Sequence, residues 1–459
     1  MTSGILLLLL LGVCLAATYD ERYLEVPLDH FSISKSTFKL RYLVYEQDYV
    51  KGGPTFFYCG NEADVKVFVE NTGFLFDIAP VFNALVVFAE HRYYGASLPF
   101  AASTFSNAAN MRYLTTSQAL ADFVLVIDQI TGKYYRTMLT DDTYPVVAFG
   151  GSYGGMLAAW LRMKYPHAVI GAVASSAPVL QHQVPCYLFY QVVTNSFAKY
   201  DNCSAWIGES WRLLRNLSNS DSGKRNISAI FKLCKPLKTE LDLSKMIDWL
   251  GDVYVDMAMV NYPYPTNFVT ELPAHPVKAF CDKMRSFVKV NETAGLLDAL
   301  AEALQVYTNA TGRKSCNRYD TTPNDPVQYA WDYQACVELV MPMCSTERDM
   351  FEEATWDLGN YSKECYGRYG VGSPRPDSIN LKYGGGNLRY ASNILFTNGL
   401  MDPWSSGGVL SNISETVLSI LIPDAVHHYD LRGAHATDSH DVIEARNAIV
   451  STIKKWLRL

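Results

Sequence analysis

The chain has 459 residues, of which 49% are hydrophobic and 19% are charged, and its net charge is −7 at pH 7. This balance is that of an ordinary globular protein and excludes a disordered chain. No run of lysine and arginine is longer than a pair, so a nucleic-acid-binding surface is not expected. The length predicts about two to three domains, or one enlarged α/β domain.

The chain opens with an apolar run, Ile5 to Leu15, that is too short to cross a bilayer. The run ends in small residues, and Cys14 and Ala16 are suited to cleavage by signal peptidase. We therefore predict a signal peptide over residues 1–16, with a buried N-terminal helix as the alternative. No later segment is apolar enough for a membrane span, so a protein of the secretory pathway, extracellular or lysosomal, is expected.

Short apolar runs alternate with helical patterns in the first part of the chain. Residues 116–130 and 156–165 repeat apolar side chains at helical spacing. Strands that alternate with helices predict a parallel sheet built from βαβ units. The predicted strands are residues 55–60, 84–91, 145–150 and 169–175.

The alternation stops near residue 180, and helical patterns such as 294–307 dominate the chain up to about residue 385. Strand patterns return at 393–399 and 417–423, and an amphipathic helix is predicted over 440–458. The C-terminal segment with these strands and this helix is short for a hydrophobic core of its own. This favours one domain split by an insertion over three serial domains. We predict an α/β domain of residues 17–180 and 386–459 and a helical insertion of residues 181–385.

Eight of the ten cysteines fall in the predicted insertion. An even, clustered set in an oxidising compartment indicates four disulfides, although the spacing does not give their pairing. Cys14 leaves with the signal peptide, and Cys59 is predicted to be a small buried residue on a strand. No zinc-binding motif is present, so neither a metal site nor a cofactor is predicted.

Seven asparagines stand in the N-x-S/T pattern of N-glycosylation, which agrees with secretion. Six of the seven fall within the predicted insertion. The predicted glycosylation sites are Asn202, Asn216, Asn226, Asn291, Asn309, Asn360 and Asn412.

The stretch Gly150 to Gly154 has the pattern G-x-S-x-G, between a predicted strand and a predicted helix. That context is the one in which a nucleophile elbow occurs, because the glycines permit a very tight turn. The turn exposes the Ser152 hydroxyl and directs the Tyr153 N–H and the helix dipole to the same point. We predict Ser152 as a nucleophile and Tyr153 as an oxyanion donor, with a glycine-rich phosphate loop or a plain tight turn as the alternative.

A serine nucleophile needs a base, and the base needs a carboxylate to orient it. Asp402 follows the predicted strand 393–399, where the acid of a Ser-Asp-His triad is expected. His427 and His428 follow the next strand, and either can be the base. A solvated histidine pair is the alternative for these two residues.

Several motifs together resemble the family of lysosomal Pro-X carboxypeptidase and dipeptidyl peptidase II, from about Tyr23 to the C-terminus. The motifs are GGSYGGMLAAWLRMKYPH, EHRYYGASLPF, GNEADV, WDYQAC, NGLMDPWSSGG and HHYDLR. The resemblance implies a serine exopeptidase that cuts after proline, or less readily alanine, near one end of a peptide. It also implies an α/β-hydrolase fold with a large helical, disulfide-rich cap domain inserted.

The resemblance assigns Ser152 as nucleophile, Asp402 as acid and His427, rather than His428, as base. His428 and Arg432 match a pair that supports the triad from behind. The family's GNEGD loop reads GNEAD here, and an N–H of its Asn61 or Glu62 is a candidate second oxyanion donor.

Other features of the chain also carry an implication from the family. Val426 replaces a smaller family residue just before the base, and Ala96 replaces a family glutamate. The implied disulfides are Cys186–Cys344, Cys203–Cys281, Cys234–Cys316 and Cys336–Cys365.

Selectivity for proline needs a shallow apolar slot, because the ring has a fixed shape and no donor. Met156, Met341 and Trp404 match family residues that build such a slot, with ordinary core packing as the alternative. Asp332 in WDYQAC matches the acid that holds the free amine in dipeptidyl peptidase II, with an exposed or helix-capping carboxylate as the alternative. On this basis we expect release of N-terminal dipeptides, with Pro-X carboxypeptidase activity as the second mode.

Two other classes of protein share these features. An esterase or lipase on the same fold has the same triad, although the polar, glycosylated insertion is unlike a lipase lid. A non-catalytic binding protein usually lacks a triad member, and all three are present here. The expected partner is a peptide with proline or alanine near one end, and a homodimer is left open.

Overall fold

The computed structural model describes residues 18–135, 144–288, 294–319 and 325–459. The predicted signal peptide, residues 1–16, and the predicted glycosylation site Asn291 lie outside these residues.

The core of the molecule is an eight-stranded sheet in the order β1-β2-β4-β3-β5-β6-β7-β8. Strands β3 to β8 run parallel, whereas β1 and β2 join one edge antiparallel. The six predicted strands all appear within two residues of their expected bounds, and β1 and β2 were not predicted. The strands are β1 (Asp20–Pro27), β2 (Thr37–Tyr45), β3 (Thr55–Cys59), β4 (Leu85–Ala89), β5 (Val146–Gly151), β6 (Gly171–Ser175), β7 (Ile394–Gly399) and β8 (Val417–Ile422).

Helices cover both faces of the parallel part of the sheet, which makes every residue of β3 to β7 fully buried. This is the layered arrangement of an α/β-hydrolase fold, as predicted. The helices that accompany the strands are α1 (Val65–Asn71), α2 (Phe74–Phe82), α3 (Ala108–Met111), α4 (Thr116–Tyr135), α5 (Tyr153–Lys164) and, at the C-terminus, α15 (His440–Leu457).

Between β6 and β7 the described residues contain helices and no strand of the sheet. The helices are α6 (Leu188–Ala198), α7 (Cys203–Ser218), α8 (Asp221–Ile230), α9 (Glu240–Met259), α10 (Pro276–Val288), α11 (Ala294–Thr308), α12 (Pro326–Val337), α13 (Leu358–Tyr369) and α14 (Ser378–Tyr383). Helices α6 to α11 enclose a hydrophobic core of their own, around residues such as Trp211, Leu250 and Phe280. We call these six helices the bundle.

Helices α12 and α13 pack elsewhere, against the loop that follows β4. Their buried residues Tyr333 and Tyr369 share a cluster with Tyr93, Tyr94 and Met111. The inserted segment therefore has two parts, the bundle and a pair of helices that lies on the α/β part of the molecule.

Four disulfides link the inserted segment, and they are the pairs that the family resemblance implies. Two of them, Cys203–Cys281 and Cys234–Cys316, tie elements of the bundle together. Cys186–Cys344 joins the start of the inserted segment to its later part, and Cys336–Cys365 joins α12 to α13. Cys59 is buried on β3, and burial raises the pKa of its thiol, so it has little thiolate character.

Candidate active site

Ser152 lies at the turn between β5 and α5, in a backbone conformation that a serine rarely adopts. Its φ is 58° and its ψ is −129°. A non-glycine residue at positive φ is strained and persists only where the surroundings hold it. The Ser152 N–H donates a hydrogen bond to the Ser175 carbonyl on β6 at 2.9 Å. The neighbouring strand thus fixes the turn that exposes the hydroxyl.

The glycines around Ser152 are required by close backbone contacts. A Cβ at Gly150 would lie 2.0 Å from the Gly154 carbonyl oxygen. A Cβ at Gly154 would lie 2.2 Å from the side-chain oxygen of Asn61. Any larger residue would push the helix away from the strand, so the sequence folds locally as the G-x-S-x-G pattern predicts.

Asp402 and His427 follow the ends of β7 and β8 and meet in a buried pair. The His427 Nδ1 lies 2.9 Å from the Asp402 Oδ2, and the two residues are 2% and 0% exposed. The second oxygen of Asp402 accepts the Trp404 N–H at 3.1 Å. The contact through Nδ1 fixes the orientation of the imidazole and leaves its Nε2 for chemistry.

The backbone of His427 is held by the inserted segment. Its N–H donates to the Met259 carbonyl at 3.1 Å, and its carbonyl accepts the Tyr262 hydroxyl at 2.7 Å. Both partners lie at the C-terminal end of α9 or just after it. The loop that carries the imidazole is therefore bound on both sides, by Asp402 and by the chain that leaves α9.

His428 and Arg432 both lie behind this pair. Burial, together with the charges of His427 and Arg432, holds the pKa of His428 well below its usual value. Its ring packs against the elbow at Gly151. The hydrogen bonds of Arg432 go to Asn71 at 2.6 Å and to Thr266 at 3.4 Å. The two residues of the predicted supporting pair therefore interact through the charge of Arg432, but they contact different parts of the site.

Asn61 and Glu62 lie on the loop after β3, on the other side of Ser152. The Asn61 Nδ2 donates to the Gly151 carbonyl at 2.6 Å, which ties this loop to the elbow. Glu62 has one buried carboxylate oxygen, Oε2, without a hydrogen-bond partner. Burial raises the pKa of Glu62, against the opposing effects of its own backbone N–H and of His427.

Ser152 and His427 both open onto one cavity of about 260 Å³. This is small for a ligand pocket and is of a size that suits a single cyclic side chain. Its other walls are mainly apolar and come from both the α/β part and the inserted segment. Among the predicted residues, those that line it with Ser152 and His427 are Tyr153, Asn61, Glu62, Met156, Met341 and Trp404.

Asp332 has a partner of its own outside this cavity. Its carboxylate accepts hydrogen bonds from Arg368 at 2.5 Å and from Gln328 at 2.6 Å. It is not among the residues that line the cavity, whereas the preceding residue, Trp331, is. The carboxyl group that the cavity does contain belongs to Glu62.

The residues near the site that were not singled out from the sequence include Trp331, Gln334 and Tyr262. Trp331 and Gln334 stand three positions apart in a segment with helical character, so they share a helix face. That spacing could have identified the pair. The role of Tyr262 depends on a contact with the backbone of a residue far along the chain, and no local pattern predicts such a contact.

The modification sites and the surface add two observations. Of the predicted glycosylation sites, Asn202, Asn216, Asn226, Asn360 and Asn412 are exposed and Asn309 is half-buried. In the described part of the chain, no helix is long and apolar enough to cross a membrane.

Comparison with known proteins gives a family match over most of the chain. Residues 26–449 match the family described as serine carboxypeptidase S28. The lysosomal Pro-X carboxypeptidase of Bos taurus is 44% identical over 446 residues, which covers 96% of this chain and 88% of the relative. The protein of the same name from Homo sapiens is 43% identical and covers 96% of this chain and 89% of the relative.

More distant similarities reach other hydrolases. The thymus-specific serine protease of Homo sapiens is 26% identical and covers 98% of this chain and 89% of that protein. Among solved structures, the proline iminopeptidase of Mycobacterium smegmatis is 10% identical, with a TM-score of 0.39, and covers 95% of this chain and 98% of that one.

Proposed function

This chain belongs to the serine carboxypeptidase S28 family, and from that premise we propose that it is a serine exopeptidase that cuts after proline near the C-terminus of a peptide. The observation that carries the proposal is the cavity into which Ser152 and His427 both open. It is small and largely apolar, as a slot for a proline ring must be. The relatives from Bos taurus and Homo sapiens described above are named Pro-X carboxypeptidases, which refers to the same bond.

In the proposed reaction, the Ser152 oxygen attacks the carbonyl carbon of the proline residue and passes its proton to the His427 Nε2. The C–N bond then breaks, and His427 gives this proton to the departing amine. Asp402 stabilises the imidazolium that forms in between and does not itself become protonated. Water repeats the two steps on the acyl-enzyme and releases the shortened peptide.

The negative charge on the carbonyl oxygen needs donors that are in place before the reaction. We assign this role to the Tyr153 N–H, at the first turn of α5, and to an N–H of the loop that holds Asn61 and Glu62. The hydrogen bond from Asn61 to Gly151 supports the assignment, because it keeps this loop against the elbow.

Trp331, Trp404, Met156 and Met341 are proposed to form the walls of the proline slot. Their large apolar surfaces offer no hydrogen bond, which suits a residue that lacks an N–H. Alanine is expected to fit less well, because it leaves part of the slot empty.

Removal of a C-terminal residue is favoured over dipeptide release, because Asp332 is paired with Arg368. A carboxylate that has its own cation is a poor site for a substrate ammonium. The experiment is a paired assay, with an N-terminally blocked peptide that ends in Pro-Phe and with Lys-Pro-naphthylamide. Cleavage of the blocked peptide, lost in Ser152→Ala, is the expected result.

Dipeptide release is kept as the second candidate, since Glu62 lies in the cavity. None of the described residues that line the cavity is a lysine or an arginine, so no fixed cation there receives a substrate carboxylate. An ionised Glu62 would instead bind an ammonium group. Cleavage of Lys-Pro-naphthylamide alone would select this mode and would reject carboxypeptidase activity.

An esterase of the same fold would use the same triad. Hydrolysis of a p-nitrophenyl ester without cleavage of either peptide would select that class. The four disulfides support residence in an oxidising compartment, which we propose is the lysosome or the extracellular space.

A further inference from the structure

Helix α12 contacts Tyr153, the residue that follows the proposed nucleophile, through two side chains. The rings of Trp331 and Tyr153 meet edge to face, with centroids 5.5 Å apart. One turn later, the Gln334 Nε2 donates a hydrogen bond to the Tyr153 hydroxyl oxygen at 2.5 Å. One face of α12 therefore lines the cavity and holds the elbow.

The Gln334 contact is part of a longer chain of hydrogen bonds. Its Oε1 accepts the Tyr94 hydroxyl at 3.1 Å. The Tyr153 hydroxyl also lies 3.0 Å from the His91 Nε2, and the His91 Nδ1 lies 2.7 Å from the Arg92 carbonyl. Four side chains are thus linked from the loop after β4, through α12, to the elbow.

The donor and the acceptor of each hydrogen bond in this series are determined. A carbonyl can only accept, so the His91 Nδ1 must carry a proton, and Nε2 of the neutral ring then accepts from Tyr153. With its proton committed, the Tyr153 oxygen accepts from Gln334. A side-chain amide can donate on one side and accept on the other, which is what this position requires.

The four side chains in this series of hydrogen bonds are closed off from water. Gln334 and His91 are 0% exposed, Tyr94 is 1% exposed and Tyr153 is 2% exposed. Burial lowers the pKa of His91 to about 4, so the ring keeps its neutral form in acidic compartments. The charged groups that act on these side chains are the Arg92–Asp122 ion pair beside His91 and Glu338 just after α12. Glu62 and Asp332 also act on Tyr94.

We propose that Gln334 is a positioning residue, which holds Tyr153 so that its backbone N–H faces the oxyanion formed at Ser152. The inference rests on the proposed function, because that function requires an oxyanion donor at the elbow and so gives a reason for its contact with α12. Side chain and N–H of Tyr153 belong to the same residue at the first turn of α5, so a fixed ring limits the motion of the donor.

Removal of the Gln334 hydrogen bond should weaken stabilisation of the transition state and leave the binding of the substrate unchanged. Loss of a direct oxyanion donor lowers kcat by about 100- to 1000-fold. For a residue that acts through Tyr153 we expect a smaller loss of kcat in Gln334→Met, about 10- to 100-fold, with KM nearly unchanged. Methionine has a similar length and flexibility but makes no comparable hydrogen bond.

The experiment measures kcat, KM and the affinity for a boronate inhibitor that forms a tetrahedral adduct with a serine. Gln334→Met is compared with Gln328→Met, the same substitution at an exposed position of the same helix. The expected result is that only Gln334→Met loses kcat and boronate affinity, and by the same factor. A full kcat in Gln334→Met, or a loss confined to KM, would overturn the proposal.

Gln334→Glu provides a second test that does not depend on how Gln334→Met folds. A protonated glutamic acid donates to Tyr153 again, whereas an ionised one cannot. Activity relative to the natural protein is therefore expected to recover as the pH falls from 7 to 5. A ratio that is still low at pH 5 would contradict the role assigned to the donor.

Failure of the proposed function gives a different result. If the peptides are not substrates, fluorophosphonate labelling of Ser152 still reports the elbow, and Gln334→Met is expected to slow it. Equal labelling rates in Gln334→Met and Gln328→Met would reject the positioning role, whatever the substrate.

Discussion

The inserted segment touches the two sides of Ser152 in different ways. On one side, α12 reaches Tyr153 through the side chains of Trp331 and Gln334. On the other side, the end of α9 reaches the backbone of His427 through the Met259 carbonyl and the Tyr262 hydroxyl. The first contact joins side chains to a side chain, whereas the second is made to the backbone of His427, by one main-chain carbonyl and one hydroxyl.

This difference indicates how each half of the site tolerates change. Any residue at position 259 supplies a carbonyl, so the His427 side can accept substitutions that keep the backbone in place. The Tyr153 side needs an amide at 334 and a broad aromatic wall at 331. We expect sequence changes on α12 to alter catalysis and those near the end of α9 to be milder.

The first prediction concerns the residue that both contacts surround. Ser152→Ala removes the proposed nucleophile and is expected to lower kcat by about a million-fold, since removal of a triad serine has an effect of this size. Single-turnover assays measure the loss. Circular dichroism and the melting temperature should stay unchanged, and residual activity within 100-fold of the natural protein would reject Ser152 as nucleophile.

Asp402→Asn tests the pair on the His427 side. An asparagine keeps the shape but favours the wrong tautomer of the imidazole, so a loss of about ten-thousand-fold in kcat is expected. Asp424→Asn, at an exposed position after β8, is a suitable control. Equal activity of the two variants would contradict the assignment of Asp402.

Trp331→Ala sharpens the comparison on the α12 side. Loss of one slot wall should lower kcat/KM for proline substrates by about 10- to 200-fold, as expected for an incompletely filled apolar pocket. The loss for the corresponding alanine substrate should be smaller. If both substrates lose the same factor, Trp331 supports the fold and does not select proline.

Tyr262→Phe makes the matching change on the His427 side. It removes one hydrogen bond to the His427 carbonyl, and a bond of about 1 kcal/mol corresponds to roughly fivefold in rate. Tyr264→Phe is the control, because the Tyr264 ring stacks on Tyr262 while the hydroxyl that reaches the His427 carbonyl belongs to Tyr262. A loss in Tyr262→Phe as large as that in Gln334→Met would remove the asymmetry between the two sides.

The smallest effect is expected within the bundle, at a residue one turn before the end of α9, and appears in stability. Burial raises the pKa of Asp256 to about 6, although the Tyr307 hydroxyl at 2.5 Å opposes this. The folded state therefore binds a proton more tightly than the unfolded state, whose pKa is about 3.9. Stability should fall as the pH rises from about 4 to 6.

Melting temperatures at pH 4.5 and 7 check this prediction. The decrease between the two values should be smaller in Asp256→Asn, which cannot ionise, while kcat stays the same. An identical pH dependence in both proteins would show that Asp256 does not contribute.

The sequence predicts the catalytic edge well, because the carboxyl ends of parallel strands converge. A residue just past β5, β7 or β8 must lie at that edge, so Ser152, Asp402 and a histidine of the pair 427–428 follow from their positions after apolar runs. The choice of His427 over His428 follows only from the family resemblance. Strand β1 escaped prediction because it is half-exposed and rich in charge, with no continuous apolar run.

The walls of the cavity are harder to predict. Asp332 and Gln334 lie two positions apart on α12, so they point in different directions. Only the docking of the helix decides that Gln334 meets the elbow while Asp332 meets Arg368. The sequence alone points to the charged residue, Asp332, whereas the buried contact is made by the neutral side chain of Gln334.

The disulfide Cys186–Cys344 has a consequence for a molecule that lives among proteases. It encloses all six helices of the bundle, so a cut in any surface loop between the two cysteines leaves the pieces joined. Ser152 would then lie on one polypeptide and Asp402 with His427 on the other. Such a nicked, two-chain enzyme would migrate as a single species in denaturing electrophoresis until a reductant separates the two polypeptides.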